Sequence, residues 1–296
     1  MRVSMHRFIL HNDEIRGASE KLLSPGQVGL LSGWGVFSTM RVCDGVIFAF
    51  ERHWARMKQD SALLGVPFPS DAGAVRNRLL ELVRANQAEN STLRLVVVRN
   101  RGGTWEGPGV TRDYDLIGLT AEVKEWGREV RLTLGPQARY STSKFTGAKI
   151  LSWSHNLAWL EEAQSKGFDE VILLNERGQV SECTSANIFI SEGKLVWTPP
   201  LSSGCLPGIT RELLLKEIHV PGIQVGEKEL EPADLEGADE VFIASTTRTL
   251  LPVVYVEGLK VRQAGVARVA LQRAFSTYFD AYIAHQKEIP SPTVRV

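Results

Sequence analysis

Residues 147–175 read GAKILSWSHNLAWLEEAQSKGFDEVILLN, residues 178–190 read GQVSECTSANIFI, and residues 198–218 read TPPLSSGCLPGITRELLLKEI. Three features of this run belong together. Lys149 stands among Ala148, Ile150 and Leu151, just ahead of a helical pattern. Glu182 interrupts a strand-like VSEC segment, an odd place for a carboxylate. Gly208, Ile209 and Thr210 form a small-residue turn that opens a helix. Each has an ordinary reading. A lysine near a helix start is usually solvated. A carboxylate can be the outward residue of an alternating strand. Thr210 and Glu212 suit the first turn of any helix. Their order and spacing carry the weight.

An amine, a carboxylate and a phosphate cradle are what a protein supplies to hold pyridoxal phosphate, a cofactor that brings its own electronic chemistry. An apolar setting disfavours a charged lysine and lowers its pKa. The neutral amine of Lys149 could then attack an aldehyde. Once freed, it could move a proton as a general acid–base. Glu182 would keep the pyridine nitrogen protonated. The amides of Ile209 and Thr210 would offer donors and the positive end of a helix dipole to the phosphate.

This stretch resembles the class IV aminotransferases, which include branched-chain aminotransferases, D-amino acid aminotransferases and aminodeoxychorismate lyases. The pattern is a lysine before a helix ending in E-A-x-x-x-G, then E-A-x-x-L, V-x-E-x-x-x-x-N-x-F, T-P-P and L-x-G-I-T-R. Here these are Lys149, Glu162 to Gly167, Glu170 to Leu174 with Val171 for alanine, Val180 to Phe189, Thr198 to Pro200, and Leu206 to Arg211. The likeness runs from about Phe8 to about Phe279.

It implies a two-lobed α+β protein of the D-amino acid aminotransferase-like fold (fold type IV), a homodimer with pyridoxal phosphate in the inter-lobe cleft. It implies that Lys149 is catalytic and carries the cofactor. Glu182, Ile209, Thr210, Arg56 from the H-x-x-R-L/M motif at His53 to Met57, and Thr246 would also bind it. Arg211 of the L-x-G-I-T-R motif reads as structural. Thr247, Phe37 and one of Arg41, Arg99 or Arg94 would meet the substrate. The resemblance further implies an amino group passed between a branched-chain type of amino acid and a 2-oxo acid such as 2-oxoglutarate. The alternative is a lyase making 4-aminobenzoate and pyruvate. Ser38, where branched-chain enzymes carry glutamate, and Val180 to Cys183 are similar to the lyases; residues 198–211 look like the branched-chain enzymes.

Composition frames these readings. At 296 residues, 43% of them hydrophobic, the chain can fill one large core or two modest ones. With 34 basic and 34 acidic residues the formal net charge is zero, so no footprint for nucleic acid or an anionic membrane is expected. Cys43, Cys183 and Cys205 are too scattered for a disulfide framework or a metal site, and a cytoplasmic setting is the default. The N-terminus turns polar too soon for a secretory signal, and no apolar run is long enough for a transmembrane helix.

The expected organisation is a first lobe over 1–123, a linker over 124–129, a second lobe over 130–285 and a tail over 286–296. In the first lobe, strands are expected at His6 to Leu10, Glu14 to Arg16, Val36 to Val42, Val46 to Phe50, Leu93 to Arg99 and Leu116 to Val123. Helices are expected over Glu51 to Leu64 and, with Ser70 as N-cap, to about Gln87. In the second lobe, Val130 to Leu134 is a strand. A helix then follows Lys149, with Trp153, Leu157 and Leu160 on one face. Short strands, a helix from Ile209, two more strands and a closing helix from Gly265 to about Tyr282 complete the lobe. Along Leu93 to Arg99, alternation puts Arg99 with Leu95 and Arg94 with Val96, without saying which face lines a cleft.

Overall fold

The structure, a computed structural model, describes residues 4–104, 107, 108 and 110–288. The first part of the chain forms β1 (Met5–His11), β2 (Glu14–Gly17), a short α1 (Val28–Ser32), β3 (Gly35–Cys43), β4 (Val46–Ile47), α2 (Phe50–Leu64), α3 (Ala72–Ala85), β5 (Ser91–Arg99) and β6 (Tyr114–Ala121). The sheet runs β2-β1-β6-β5-β3-β4, and every neighbouring pair is antiparallel. One face is apolar at most alternate positions, as Val36, Met40, Leu93, Leu95 and Val97 show, with the buried Ser38 the exception on β3. Helices α2 and α3 cover it with Trp54, Met57, Leu79 and Leu82.

The second part adds β7 (Val130–Arg139), α4 (Ser154–Ser165), β8 (Glu170–Asn175), β9 (Val180–Cys183), β10 (Asn187–Glu192), β11 (Leu195–Thr198), α5 (Ile209–Lys216), β12 (Gln224–Glu227), α6 (Pro232–Gly237), β13 (Glu240–Ser245), β14 (Thr249–Val256) and α7 (Ala267–Glu288). Its sheet order is β12-β11-β10-β13-β14-β7-β8-β9. Strand β7 lies between β14 and β8 and is parallel to both. Strands β8, β9 and β10 are almost wholly buried, as expected of strands covered on both faces.

Several sequence expectations change. The run from Val46 does not continue as a strand to Phe50. Ala49 turns left-handed at φ 52° and Phe50 opens α2. The turn sends Phe48 into an aromatic socket on α7, with ring centroids 4.6 Å from Phe279 and 5.0 Å from Tyr282. Packing there overrides the local strand preference. The N-cap of α3 is Asp71, whose carboxylate accepts the Ala74 N–H at 2.9 Å, and not Ser70. Leu157 is 47% exposed, while Asn156 and Ala163 are the buried residues of α4. The expected tail from residue 286 begins inside α7, and residues 289–296 lie outside the described residues.

Two joints position the cleft. The segment after residue 147 lies against the first sheet: Phe37 N–H donates to Lys149 O at 3.1 Å and Leu151 N–H to Gly35 O at 2.9 Å. Gly35 is needed for that approach, since a Cβ would stand 2.4 Å from Val97 O and 2.5 Å from Leu151 Cδ1. On the other side Arg52 of α2 pairs with Glu212 at 3.0 Å and Glu217 at 2.8 Å, on and just beyond α5. Among the described residues no helix is long and apolar enough to cross a membrane.

Candidate active site

A cleft of about 740 Å³ opens between the two sheets, within the usual range for small-molecule sites. Phe37, Thr39 and Arg94 of the first sheet and Arg56 of α2 form one wall. Lys149, Glu182, Ile209, Thr210, Thr246 and Thr247 form much of the rest.

Lys149 is itself part of the joint with β3, so its backbone is fixed on two sides. Its O accepts from Phe37, and its N–H donates to Asp60 Oδ2 at 3.1 Å. The ammonium lies 4.7 Å from the Phe37 ring centroid and 5.9 Å from that of Trp153. Burial, then the charge of Arg56, pulls the amine from its ordinary value of 10.5 to about 7; Glu182 and Asp60 oppose the fall and Arg94 adds to it. The pull of Arg56 and of Glu182 on one amine places all three in one electrostatic neighbourhood. Burial also raises the Asp60 carboxyl, against its bond to the Lys149 N–H and the charge of Arg56.

Glu182 is 8% exposed. Its Oε1 accepts from Arg139 Nε at 3.1 Å and its Oε2 from the Leu206 N–H at 3.0 Å. Arg139 is steadied in turn by Asn156 Oδ1 at 3.2 Å, and Asn156 donates to Thr184 O at 2.7 Å. A carboxylate has about four lone-pair positions, so Glu182 keeps acceptor capacity for a further donor.

The third group gathers at the start of α5. Its first-turn amides, those of Ile209 and Thr210 among them, have no acceptor within the helix. Gly208 precedes them in close contact with Asn187: a Cβ would stand 2.1 Å from Asn187 Oδ1. Arg56 is 7% exposed and reaches the same place, donating to Pro207 O at 3.3 Å and to Ser38 Oγ at 2.8 Å. Its Nε is buried without a partner among the described residues. Thr246 and Thr247 lie on the turn between β13 and β14. The turn is anchored by Arg248, which pairs with the buried Glu170 at 3.0 Å and donates to Ser185 Oγ at 2.9 Å.

The donor set fits the cofactor expected from sequence. It offers an amine with a lowered pKa, a carboxylate with spare acceptor capacity, and an arginine with an unpartnered buried N–H beside a helix start. Among the described residues no cluster of His, Cys, Asp and Glu could hold a metal ion.

Two of the expected substrate residues fall elsewhere. Arg99 does not line the cleft; it donates to Gly65 O at 2.7 Å and Arg101 O at 2.8 Å, 4.1 Å over the Trp34 ring. Its face of β5 is the one packed on the helices. Arg41 lies farther along β3, beyond the cleft lining, with Nη1 3.4 Å from Ser91 O. Arg94 is the arginine on the cleft side, opposite Thr39 and with its guanidinium 5.0 Å from the Phe37 ring centroid. Arg211 locks loops: it donates to Pro199 O at 2.8 Å and pairs with Glu227. Asp60, Arg139, Asn156 and Arg248 were not anticipated. The one signal in the sequence was that a buried charge needs a partner.

The sequence model of the family described as Amino-transferase class IV matches residues 35–256. The D-alanine aminotransferase of Bacillus licheniformis is 27% identical over 254 residues, covering 84% of this chain and 88% of that protein. The branched-chain-amino-acid aminotransferase of Salmonella typhimurium is 28% identical over 270 residues, covering 83% of this chain and 84% of that one. The crystal structure of the Escherichia coli branched-chain amino acid aminotransferase superposes with a TM-score of 0.82 at 25% identity, over 93% of this chain and 95% of that one.

Proposed function

Because the chain belongs to the class IV aminotransferase family, whose members depend on pyridoxal phosphate, we propose that it moves an amino group from an amino acid with a branched apolar side chain to a 2-oxo acid such as 2-oxoglutarate. The observation that carries the reading is the Lys149 amine, brought to about pKa 7 in a cleft that also holds Glu182, Arg56 and the start of α5.

Bound there, pyridoxal phosphate supplies an electron sink for charge that develops beside the amino group. Lys149 would hold the cofactor through Nζ, and an amine with a large neutral fraction near pH 7 suits that bond. With the cofactor bound, Lys149 Nζ would also be the group placed to hold and move the proton of the substrate Cα as a general acid–base. Glu182, its orientation fixed by Arg139 and the Leu206 N–H, would accept from the ring nitrogen and keep it protonated. Arg56, the amides of Ile209 and Thr210, and Thr246 take the phosphate. Phe37 and Trp153 give the substrate side chain an apolar wall and help exclude water. Arg94 and Thr247, both on the lining, suit a substrate carboxylate. A homodimer is proposed with the same reading, the partner closing the cleft mouth.

The test is a panel of L- and D-amino donors added to the reconstituted protein, with the conversion of bound cofactor to its aminated form followed by absorbance. Branched L-amino acids should convert it, 2-oxoglutarate should return it, and Lys149→Ala should abolish both covalent attachment and turnover. If no donor converts it while aminodeoxychorismate yields 4-aminobenzoate, the lyase reading replaces this one.

A further inference from the structure

Ser38 has no exposed surface, and it stands on β3 between two side chains of α2. Arg56 Nη2 donates to its Oγ at 2.8 Å. His53 Nδ1 lies 2.7 Å from the same oxygen. A guanidinium can only donate, so Ser38 Oγ is an acceptor on that side and its own proton is free for His53. His53 is 1% exposed. Burial, then the charges of Arg56 and Lys149, drives its pKa well below the ordinary histidine value, so the ring is neutral and can accept at Nδ1. The ring proton is then on Nε2, which is buried with no partner among the described residues. An unsatisfied buried donor is costly, and its retention calls for a reason.

We infer that His53 and Ser38 form a directed hydrogen-bond chain that aims Arg56 at the phosphate of the cofactor, which makes both of them positioning residues for phosphate recognition. The inference rests on the reading that Arg56 takes that phosphate. The chain accounts for the orphaned Nε2: the ring is held so that Nδ1 faces Ser38. Its direction is fixed, because His53 accepts, Ser38 passes its proton on, and Arg56 donates. Arg56 is also tied to Pro207 O, just ahead of α5. Two neutral acceptors from different parts of the chain thus hold the guanidinium. They use two of its five N–H donors. The Ser38 hydroxyl orients the cation without neutralising it, so the charge is left for the ligand.

The experiment compares equilibrium binding of pyridoxal phosphate and of pyridoxal, which lacks the phosphate, to cofactor-free protein, by absorbance and tryptophan fluorescence. Arg56→Gln should lower the preference for the phosphorylated form on the order of 100-fold. Ser38→Ala and His53→Leu should each weaken pyridoxal phosphate about tenfold and leave pyridoxal within about twofold. Ser38→Thr, which keeps the hydroxyl, and His53→Asn, whose Oδ1 stands in for Nδ1, should restore most of the preference. Ser38→Ala in the Arg56→Gln background should add almost nothing. If Ser38→Ala binds both ligands as the parent does, or loses both equally, the chain does not serve the phosphate and the inference falls. Ser38→Ala decides this even where His53→Leu fails to fold. If Arg56→Gln leaves the preference intact, the assignment of Arg56 itself falls.

Discussion

Lys149 shows how much chemistry one residue takes from its surroundings. In the folded, cofactor-free protein its amine titrates near 7, against 10.5 for an ordinary lysine. Between those values the unfolded chain binds more protons than the native one, so this group adds stability as pH rises through that window. Below about pH 7 the native state carries a buried, disfavoured charge. Lys149→Met should therefore raise the melting temperature of the cofactor-free protein, and more at pH 6 than at pH 10. An equal gain at both would mean that burial of the charge is not what depresses the amine. That Lys149, Glu182 and Thr210 share one cleft was legible in the sequence, because they sit at set distances within one run of motifs. Asp60, which holds the Lys149 N–H, was not, because 89 residues separate the two. The choice among Arg41, Arg94 and Arg99 was left open by the sequence for a related reason. Alternation sorts a strand into two faces, but only the helices packed on one of them decide which is left for the cleft.

Helix α5 brings Ile209 and Thr210 of its first turn to the cleft, where we propose the phosphate binds, and the residue before it sets how closely the loop can pack. Gly208 has φ −66° and ψ 142°, a conformation open to any residue, so its role there is spatial. An added Cβ meets Asn187 Oδ1, and Asn187 is itself held by donating to Leu206 O at 2.9 Å. Gly208→Ala should cost about 1–3 kcal/mol and weaken pyridoxal phosphate by tenfold or more, as read by thermal melting and equilibrium titration. Parent-like values for both would show that the loop yields freely. Most helices and strands were readable from apolar period and from turn residues, as in α2, where Gly65 at φ 64° ends the helix where expected. The failures share a cause. Phe48 breaks a strand pattern to reach α7. The buried face of α4 carries Asn156, a polar residue that a hydrophobic period cannot mark. Strand β12, Gln224–Glu227, has only one strongly apolar residue and exists because β11 offers it a parallel edge.

At the scale of the molecule, the two sheets are clasped by α7. Phe48 of the first part enters a socket of Phe275, Tyr278, Phe279 and Tyr282. Tyr282 also donates to Glu51 at 2.9 Å, and Lys287 pairs with Asp44 at 2.8 Å. Phe48→Ala should cost about 3–5 kcal/mol, seen as a lower urea midpoint with both sheets still melting in one transition. Two separate transitions in the parent protein would show that the clasp does not couple them. The same clasp bears on how the protein comes into being. While the chain is still leaving the ribosome, Phe48 waits for a helix that starts at residue 267, and β7 waits for a partner strand that starts at residue 249. The nascent polypeptide must therefore carry an open aromatic side chain and an unfilled sheet edge through most of translation. Such intermediates are the ones that chaperones shield.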